Sequence, residues 1–445
     1  MLLCCPKRKT KKEVTSSMRT NEKRKTDLPR RVTLLLVAVV AVIMLASTGL
    51  YKLHGYHPQT RTVLYKPTEA NPLAHDDDGV APATTVEVER CGDATLAALG
   101  AANAVPWRKE HSRCPESSGY LEEHYMRKQL AARRRYSAAT EASPTPDAPP
   151  STNTFLGLSI GCNKGYDAVN TLRMGSFNPA LSTEKWAETL TNLKMNGAGV
   201  CGQRDTTQFG PLLFESAEAA ARVVPSAELH CVEPLGSNFR VLENATRTLG
   251  YDRHGLRVHR AAVSNRVGEV SFPIGPPGKE SLGISHCETR KCETVYVTTI
   301  DELVRTVVSD GNRDTPIDVL SIDTEGHDME ALLGATEVAL PRTRYLEFEF
   351  HTVGVWKNYN LRDAIDLLAE HDFNCYWMLD ADASPWDHPV LVRITECWLD
   401  QYNRRFWSNV ACVNKKTNLE LARRMEDLHQ MFAYAAEVEH RNRTG

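Results

Sequence analysis

At 445 residues the chain holds about three domains at ~150 residues each, although one α/β domain can run to ~250. Its 42% hydrophobic and 24% charged residues exclude collagen-like, wholly disordered and multi-span membrane proteins. The formal net charge of -3 hides a division: residues 1–31 carry 11 Lys/Arg against 3 Asp/Glu, 32–51 carry no charge, and the remainder stands at -11.

Val32 to Tyr51 reads VTLLLVAVVAVIMLASTGLY, long enough as a helix to span ~30 Å of hydrocarbon. The 31 residues before it exceed the short leader of a cleaved signal peptide, so the expectation is an uncleaved signal-anchor. A buried core helix is the competing reading. The basic residues place 1–31 in the cytosol by the positive-inside rule. Everything after Tyr51 is then lumenal or extracellular, and the expected location is a single-pass type II protein of the Golgi or another secretory-pathway membrane with a lumenal catalytic domain. The run PKRKTKK suits anionic lipid heads better than nucleic acid beside such a span. Cys4 and Cys5 are either palmitoylated or free cytosolic thiols.

Residues 52–154 show little apolar periodicity and end in SPTPDAPPSTNT, the composition of a stem with a Pro-rich linker. Within it, 118–136 has helical spacing, and Cys91 and Cys114 are candidates to close a loop. Ten cysteines beyond the span form an even set compatible with disulfides in an oxidising compartment, with Cys287 and Cys292 of HCETRKC as a local bridge. The triplets Asn244-Ala-Thr and Asn442-Arg-Thr are N-glycosylation acceptors in such a compartment.

A catalytic unit is expected over 155–415. FLGLSIGCNKGYDAVNTLRM orders an apolar strand, a turn from Gly161 to Gly165 and a helix, which brings main chain close to a ligand at the strand's carboxyl end. It is neither a dinucleotide G-x-G-x-x-G nor a phosphate loop. ELHCVEP ends a second strand in Glu233, placed to accept hydrogen bonds from a ribose diol or simply solvated. The helix GSNFRVLENATRTLG follows. LRVHRAAVS is then a strand, with a hairpin around Asn265–Gly268 and a further strand at VYVTTI.

After a helix from Asp301, the strand Ile317–Ile322 delivers Asp323, Glu325 and His327 to a turn at Gly326, where an open α/β sheet keeps its chemistry. The alternative makes Asp323 a helix cap and its neighbours solvated. YLEFEFH puts Glu347 and Glu349 on one face and His351 at the end, and a helix at 361–370 with strands FNCYWML and FWSNVACV completes about seven strands. Strands alternating with helices predict a mostly parallel, three-layer sheet. The tail at 416–445 carries a helix whose Leu421, Met425, Leu428 and Phe432 form a packing stripe.

SIGCNKGYDA, CVEP, VTTIDEL, IDVLSIDTEGHDMEALLGA and EFEFH, in that order over about 155–380, resemble the FkbM-type S-adenosylmethionine-dependent O-methyltransferases. The resemblance implies a class I methyltransferase fold with Gly161, Asn163 and Gly165 around the methionine and ribose end of S-adenosyl-L-methionine. Glu233 is then on the ribose hydroxyls, Ala262–Ser264 near the adenine, and Asp323, Glu325 and His327 are in the active-site motif, Asp323 also facing the cofactor. Ser159 and Ser321 depart from that pattern, standing where the family usually has Asp and Lys. The 68 residues from Gly165 to Glu233, against roughly 20, imply an insertion at about 176–225, either a substrate lid or a surface elaboration.

An alcohol acceptor must lose a proton, and the base candidates are His327, Asp323 and His351, with His327 favoured. Asp323, Glu325 and Asp328 are an alternative carboxylate set for Mg²⁺, although no metal ligand is assigned. An anchor, a stem and a lumenal domain match the layout of glycan-modifying enzymes, so the expected acceptor is a sugar hydroxyl of a glycan or glycoconjugate, with no nucleic acid involved. Two other classes stay open. One is a catalytically inactive glycan-binding or scaffold protein, favoured by Ser159 and Ser321. The other is a lumenal glycosyltransferase, whose acidic metal motif would have to come from Asp76–Asp78 or from DADASPWD at 380–387.

Overall fold

The computed structural model describes residues 85–102, 119–142, 154–198, 212–280, 282–284, 287, 291–308, 314–379, 390–403, 405 and 408–445. The chain divides into two units, 1–80 and 81–445, and every described residue belongs to the second. Among the described residues no helix is long and apolar enough to cross a membrane. The span expected at 32–51 lies outside them, as do the basic tail and both acidic runs considered for a glycosyltransferase. The expected fold and localisation of a single-pass membrane protein are therefore corrected to a mixed α/β fold with no membrane-crossing helix among its described residues.

The amino-terminal side of this unit supplies α1 (Asp93–Ala101) and α2 (Gly119–Ala142). β1 (Thr154–Ile160) leads into α3 (Tyr166–Ser176), α4 (Thr183–Asn192), α5 (Ala217–Val223) and β2 (Ser226–Val232). Next come α6 (Gly236–Leu249), β3 (Leu256–His259), β4 (Ala262–Val263), β5 (Gly268–Pro273) and β6 (Cys292–Thr298). The remainder runs α7 (Ile300–Val307), β7 (Val319–Ile322), α8 (Asp328–Leu333), α9 (Ala339–Arg342), β8 (Tyr345–Phe350), α10 (Leu361–Glu370), β9 (Phe373–Leu379), β10 (Val390–Arg393), β11 (Ser408–Asn414) and α11 (Leu419–Thr444).

The main sheet has eight strands in the order β10-β9-β11-β8-β7-β1-β2-β3, where about seven were expected. β1 pairs in parallel with β2 and β7, β2 with β3, and β7 with β8, whereas β11, β9 and β10 are antiparallel. The chain winds outward from β1 to β3 and then crosses back to β7 on the other side of β1. That reversal opens a crevice at the carboxyl ends of β1 and β7, where open α/β sheets bind ligands.

The strand expected at VYVTTI is not in this sheet. It is β6, the middle strand of a separate three-stranded sheet β4-β6-β5, so the expected hairpin around Asn265–Gly268 does not form. β4 and β5 instead pair with opposite edges of β6. LRVHRAAVS is correspondingly split, β3 going to the large sheet and β4 to the small one.

β1 is buried on both faces, which is why it reads as an almost continuous apolar run. Leu156, Leu158 and Ile160 pack with Leu320, Val304, Leu332 and Leu368 on one face. Phe155 packs on the other with Leu172, Trp186, Leu242 and Met425. Each such side chain contributes ~1.5–3 kcal/mol when fully buried.

The interval read as a stem includes helices packed onto this core. The Tyr120 and Tyr345 hydroxyls are 2.9 Å apart, the rings of Tyr125 and Phe155 meet edge to face, and Glu123 pairs with Arg424 at 2.9 Å. Cys91 is bonded to Cys397, 306 residues away, and not to Cys114 as its chain neighbourhood suggested. Cys162–Cys231, Cys287–Cys292 and Cys375–Cys412 are also disulfides, the second as expected. In the interval read as an insertion, Trp186 is buried, stacks on Tyr251 and donates from Nε1 to the Lys164 carbonyl at 2.8 Å.

Candidate active site

The turn after β1 is left-handed at three positions: Gly161 (φ 79°), Asn163 (φ 44°) and Gly165 (φ 69°). Gly161 is required twice over, by its φ and because a Cβ there would lie 1.7 Å from the Asp323 carbonyl oxygen. Main chain is thus packed on main chain between the ends of β1 and β7, an arrangement completed by the Asp323 amide donating to the Ile160 carbonyl at 2.8 Å. The Gly161 and Cys162 amides donate to the Val232 carbonyl, and the Cys162–Cys231 disulfide fastens the same turn to β2.

Glu233, the residue after β2, has both oxygens engaged by this frame. The Asn163 amide donates to Oε2 at 2.9 Å and the Leu235 amide to Oε1 at 2.8 Å. Burial pushes the carboxyl up to about 7, against the pull of the Leu235 and Asn163 amides and the Asn238 side chain. Asn238 on α6 in turn donates to the Asn163 side chain at 3.3 Å and accepts from the Gly278 amide at 2.7 Å.

At the end of β7 the chain turns through Glu325 (φ 53°) and Gly326 (φ 98°) against the loop after β8, where a Cβ on Gly326 would meet the Val353 carbonyl at 2.5 Å. A non-glycine residue held left-handed at a sheet edge stores backbone strain of the kind found at functional sites. The Asp323 carboxyl is raised well above the ordinary range by burial and then by Glu349, Glu325 and Asp328, and its Oδ1 is buried without a hydrogen-bond partner. Burial also pushes Asp328 up to about 6, while the Thr324, Asp328 and Gly326 amides hold it down.

His327 opens α8 and is 6% exposed. Its Nδ1 lies 3.2 Å from Glu330 Oε2, and its Nε2 is buried with no hydrogen-bond partner. Deeper in the protein, burial and then the neighbouring Glu347 push Asp167 up to about 8, and burial raises Glu347 as well.

These elements line a crevice that is open to solvent. Gly161, Asn163, Glu233, Ala262, Asp323, Glu325 and His327, all singled out from sequence, line it together. Gly165, Ser264 and His351 do not. Gly165 starts α3, with the Trp186 ring 3.1 Å from where a Cβ would be. Ser264 donates from Oγ to Glu330 Oε2 at 2.9 Å. His351 is buried at the end of β8 and accepts from the Val353 amide at 3.1 Å.

The sequence reading missed a further part of the lining, the apolar group Leu235, Phe272, Leu282 and Ile284. Three of them belong to the small core of the three-stranded sheet, a long-range arrangement with no local pattern to reveal it. Lys279 and Glu280 also line the crevice, Glu280 paired with Lys164 of the glycine turn.

Among the described residues, the ligand atoms that converge within 4.8 Å of one another belong to Cys91, Cys397 and His429, and those two cysteines are already a disulfide. Asp323, Glu325 and Asp328 do not converge in this way.

Comparison with known proteins adds a family. No curated protein matches the chain. The FkbM methyltransferase of Methylobacillus flagellatus KT is 12% identical over 72% of this chain and 58% of its own, with a TM-score of 0.28. A putative RNA methyltransferase of Pyrococcus horikoshii is 9% identical over 72% of this chain and 98% of its own, with a TM-score of 0.22. Both scores are too low for either structure to inform this one. The family match begins at residue 201, after the glycine turn, and runs through Glu233 and the Asp323–His327 turn. Residues 201–375 of this chain match the methyltransferase FkbM domain.

Proposed function

We propose that the protein is an S-adenosylmethionine-dependent O-methyltransferase whose acceptor is a sugar hydroxyl of a glycan or glycoconjugate. The observation that carries this reading is the single crevice joining Gly161, Asn163 and Glu233 to Asp323, Glu325 and His327. The fit to the cofactor rests on chemistry already described. The apolar group Leu235, Phe272, Leu282 and Ile284 suits a flat base, Glu233 beside Asn163 suits a ribose diol, and the glycine turn leaves room for a close main-chain approach.

When bound, the cofactor supplies a methyl group already activated by its sulfonium. What remains for the protein is to align an acceptor oxygen and take its proton, and alignment alone can remove several kcal/mol of barrier. His327 is the base: Nε2 carries no hydrogen bond, and Nδ1 is held by Glu330. Asp323, neutral through burial and its carboxylate neighbours, supplies a hydrogen-bond donor beside it. The sugar acceptor draws its support from the four disulfides among the described residues, bonds that persist in oxidising surroundings.

The test is incubation of the full-length protein with methyl-labelled S-adenosylmethionine and a panel of glycans. Base-stable label on a sugar oxygen supports the reading. Absence of transfer together with absence of cofactor binding by calorimetry overturns it.

A further inference from the structure

One side chain outside the crevice reaches His327, and a second holds that side chain in place. Glu330 follows it by three residues on the first turn of α8, and its Oε2 lies 3.2 Å from Nδ1. The same oxygen accepts from Ser264 Oγ at 2.9 Å, and Ser264 comes from the end of β4 in the small sheet. Ser264 is itself fixed, its amide donating to the Thr298 carbonyl at 3.0 Å.

We infer that Glu330, held in place by Ser264, is a positioning residue that fixes His327 as the Nδ1–H tautomer and leaves Nε2 as a lone pair for the acceptor's proton. A carboxylate has no hydrogen to give, so the proton in this contact belongs to the imidazole. Which nitrogen of a histidine is basic is set by the bond the other one makes. The hydrogen bonds from His327 and then Ser264 hold the Glu330 carboxyl below its usual range, which keeps it an acceptor. The other charged groups nearby act on the ring less directly. Glu325 and Asp328 flank His327 in the chain, Asp323, Glu233, Lys279 and Glu280 share its crevice, and Arg266 lies near Glu330. The hydrogen-bonded series His327–Glu330–Ser264 thus links the end of β7 to the small sheet, with the ring on the crevice wall and the serine behind it.

This inference rests on the reading of His327 as the base, and its test separates the two because it needs no acceptor. Long-range proton–nitrogen spectra of full-length protein labelled with ¹⁵N-histidine, with the His327 signals assigned by their loss in H327Q, report the tautomer directly. The expected result is a dominant Nδ1–H pattern in the wild type at pH 8, loss of that dominance in E330Q, partial loss in S264A and retention in S264T. A dominant Nε2–H pattern in the wild type, or an unchanged pattern in E330Q, overturns the inference. If the pattern is as expected and H327Q still transfers methyl groups, the assignment of His327 as base falls while its tethering by Glu330 stands.

Discussion

Cys231 is bonded to Cys162, two residues before Glu233 on one side and one residue after Gly161 on the other. The covalent link joins the turn and the strand end whose main chains and carboxylate form one wall of the crevice. Without it the turn, left-handed at three positions, is held by hydrogen bonds alone. The double substitution C162A/C231A is expected to weaken S-adenosylmethionine binding about tenfold, or ~1.4 kcal/mol, because the turn has to be ordered on binding. Calorimetric titration checks this, and an unchanged affinity counts against the turn as part of the site.

Glu233→Gln tests the other half of the same wall. The carboxylate accepts from two amides, and a Gln presents an N–H to one of them, leaving a buried donor facing a donor. The expected cost is ~1–3 kcal/mol of stability, read as a lowered urea midpoint, with cofactor binding reduced at least tenfold. A variant as stable as the wild type that still binds the cofactor contradicts the role given to this residue.

His327→Ala separates binding from chemistry. In the transfer assay its rate is expected to fall by ~10²–10⁴ while cofactor affinity stays within about twofold, since a general base acts only once the acceptor is in place. Comparable transfer by the variant would remove His327 from the reaction.

Asp167 makes stability pH-dependent. A carboxyl pushed up to about 8 in the native state binds a proton that the unfolded chain has already released, so stability falls as pH rises from 3.8 to 8. Glu233 acts in the same sense up to about 7. His124, His259 and His429, lowered by burial to about 3, 4 and 4, act oppositely, but only below their ordinary value of 6.5. Between pH 6.5 and 8 the carboxyls therefore dominate, with a slope of up to ~1.4 kcal/mol per pH unit for each proton involved. Urea midpoints are expected to fall across this window in the wild type and to flatten in D167N. A midpoint that rises with pH in the wild type is the contrary result.

The parts of the site legible in the sequence are those whose geometry is local. A strand followed by glycines at 161 and 165 favours a turn, and the run from Ile317 ending in Asp323, Glu325 and His327 puts those groups just past a strand, where a helix cap with solvated neighbours is the alternative. What could not be read depended on distant partners. Leu235, Phe272 and Leu282 come together because β4, β5 and β6 form a sheet of their own, where chain order suggested a hairpin. Ser264 lies where chain position put it, at the end of β4, but its hydroxyl turns to Glu330 and away from the crevice. The helix at 119–142 was visible as a pattern, whereas its docking through Tyr120 and Tyr125 was not, because Tyr345 lies more than 200 residues on.

The bond from Cys91 to Cys397 bears on how the chain matures. During synthesis Cys91 leaves the ribosome some three hundred residues ahead of its partner, with Cys162 and Cys231 emerging in between. A thiolate exchanges with whichever accessible disulfide it meets first, so a Cys91 that enters a mixed disulfide before Cys397 emerges reaches its native partner by a further exchange. The expected consequence is a yield of correctly folded protein that rises with added disulfide isomerase in a refolding assay.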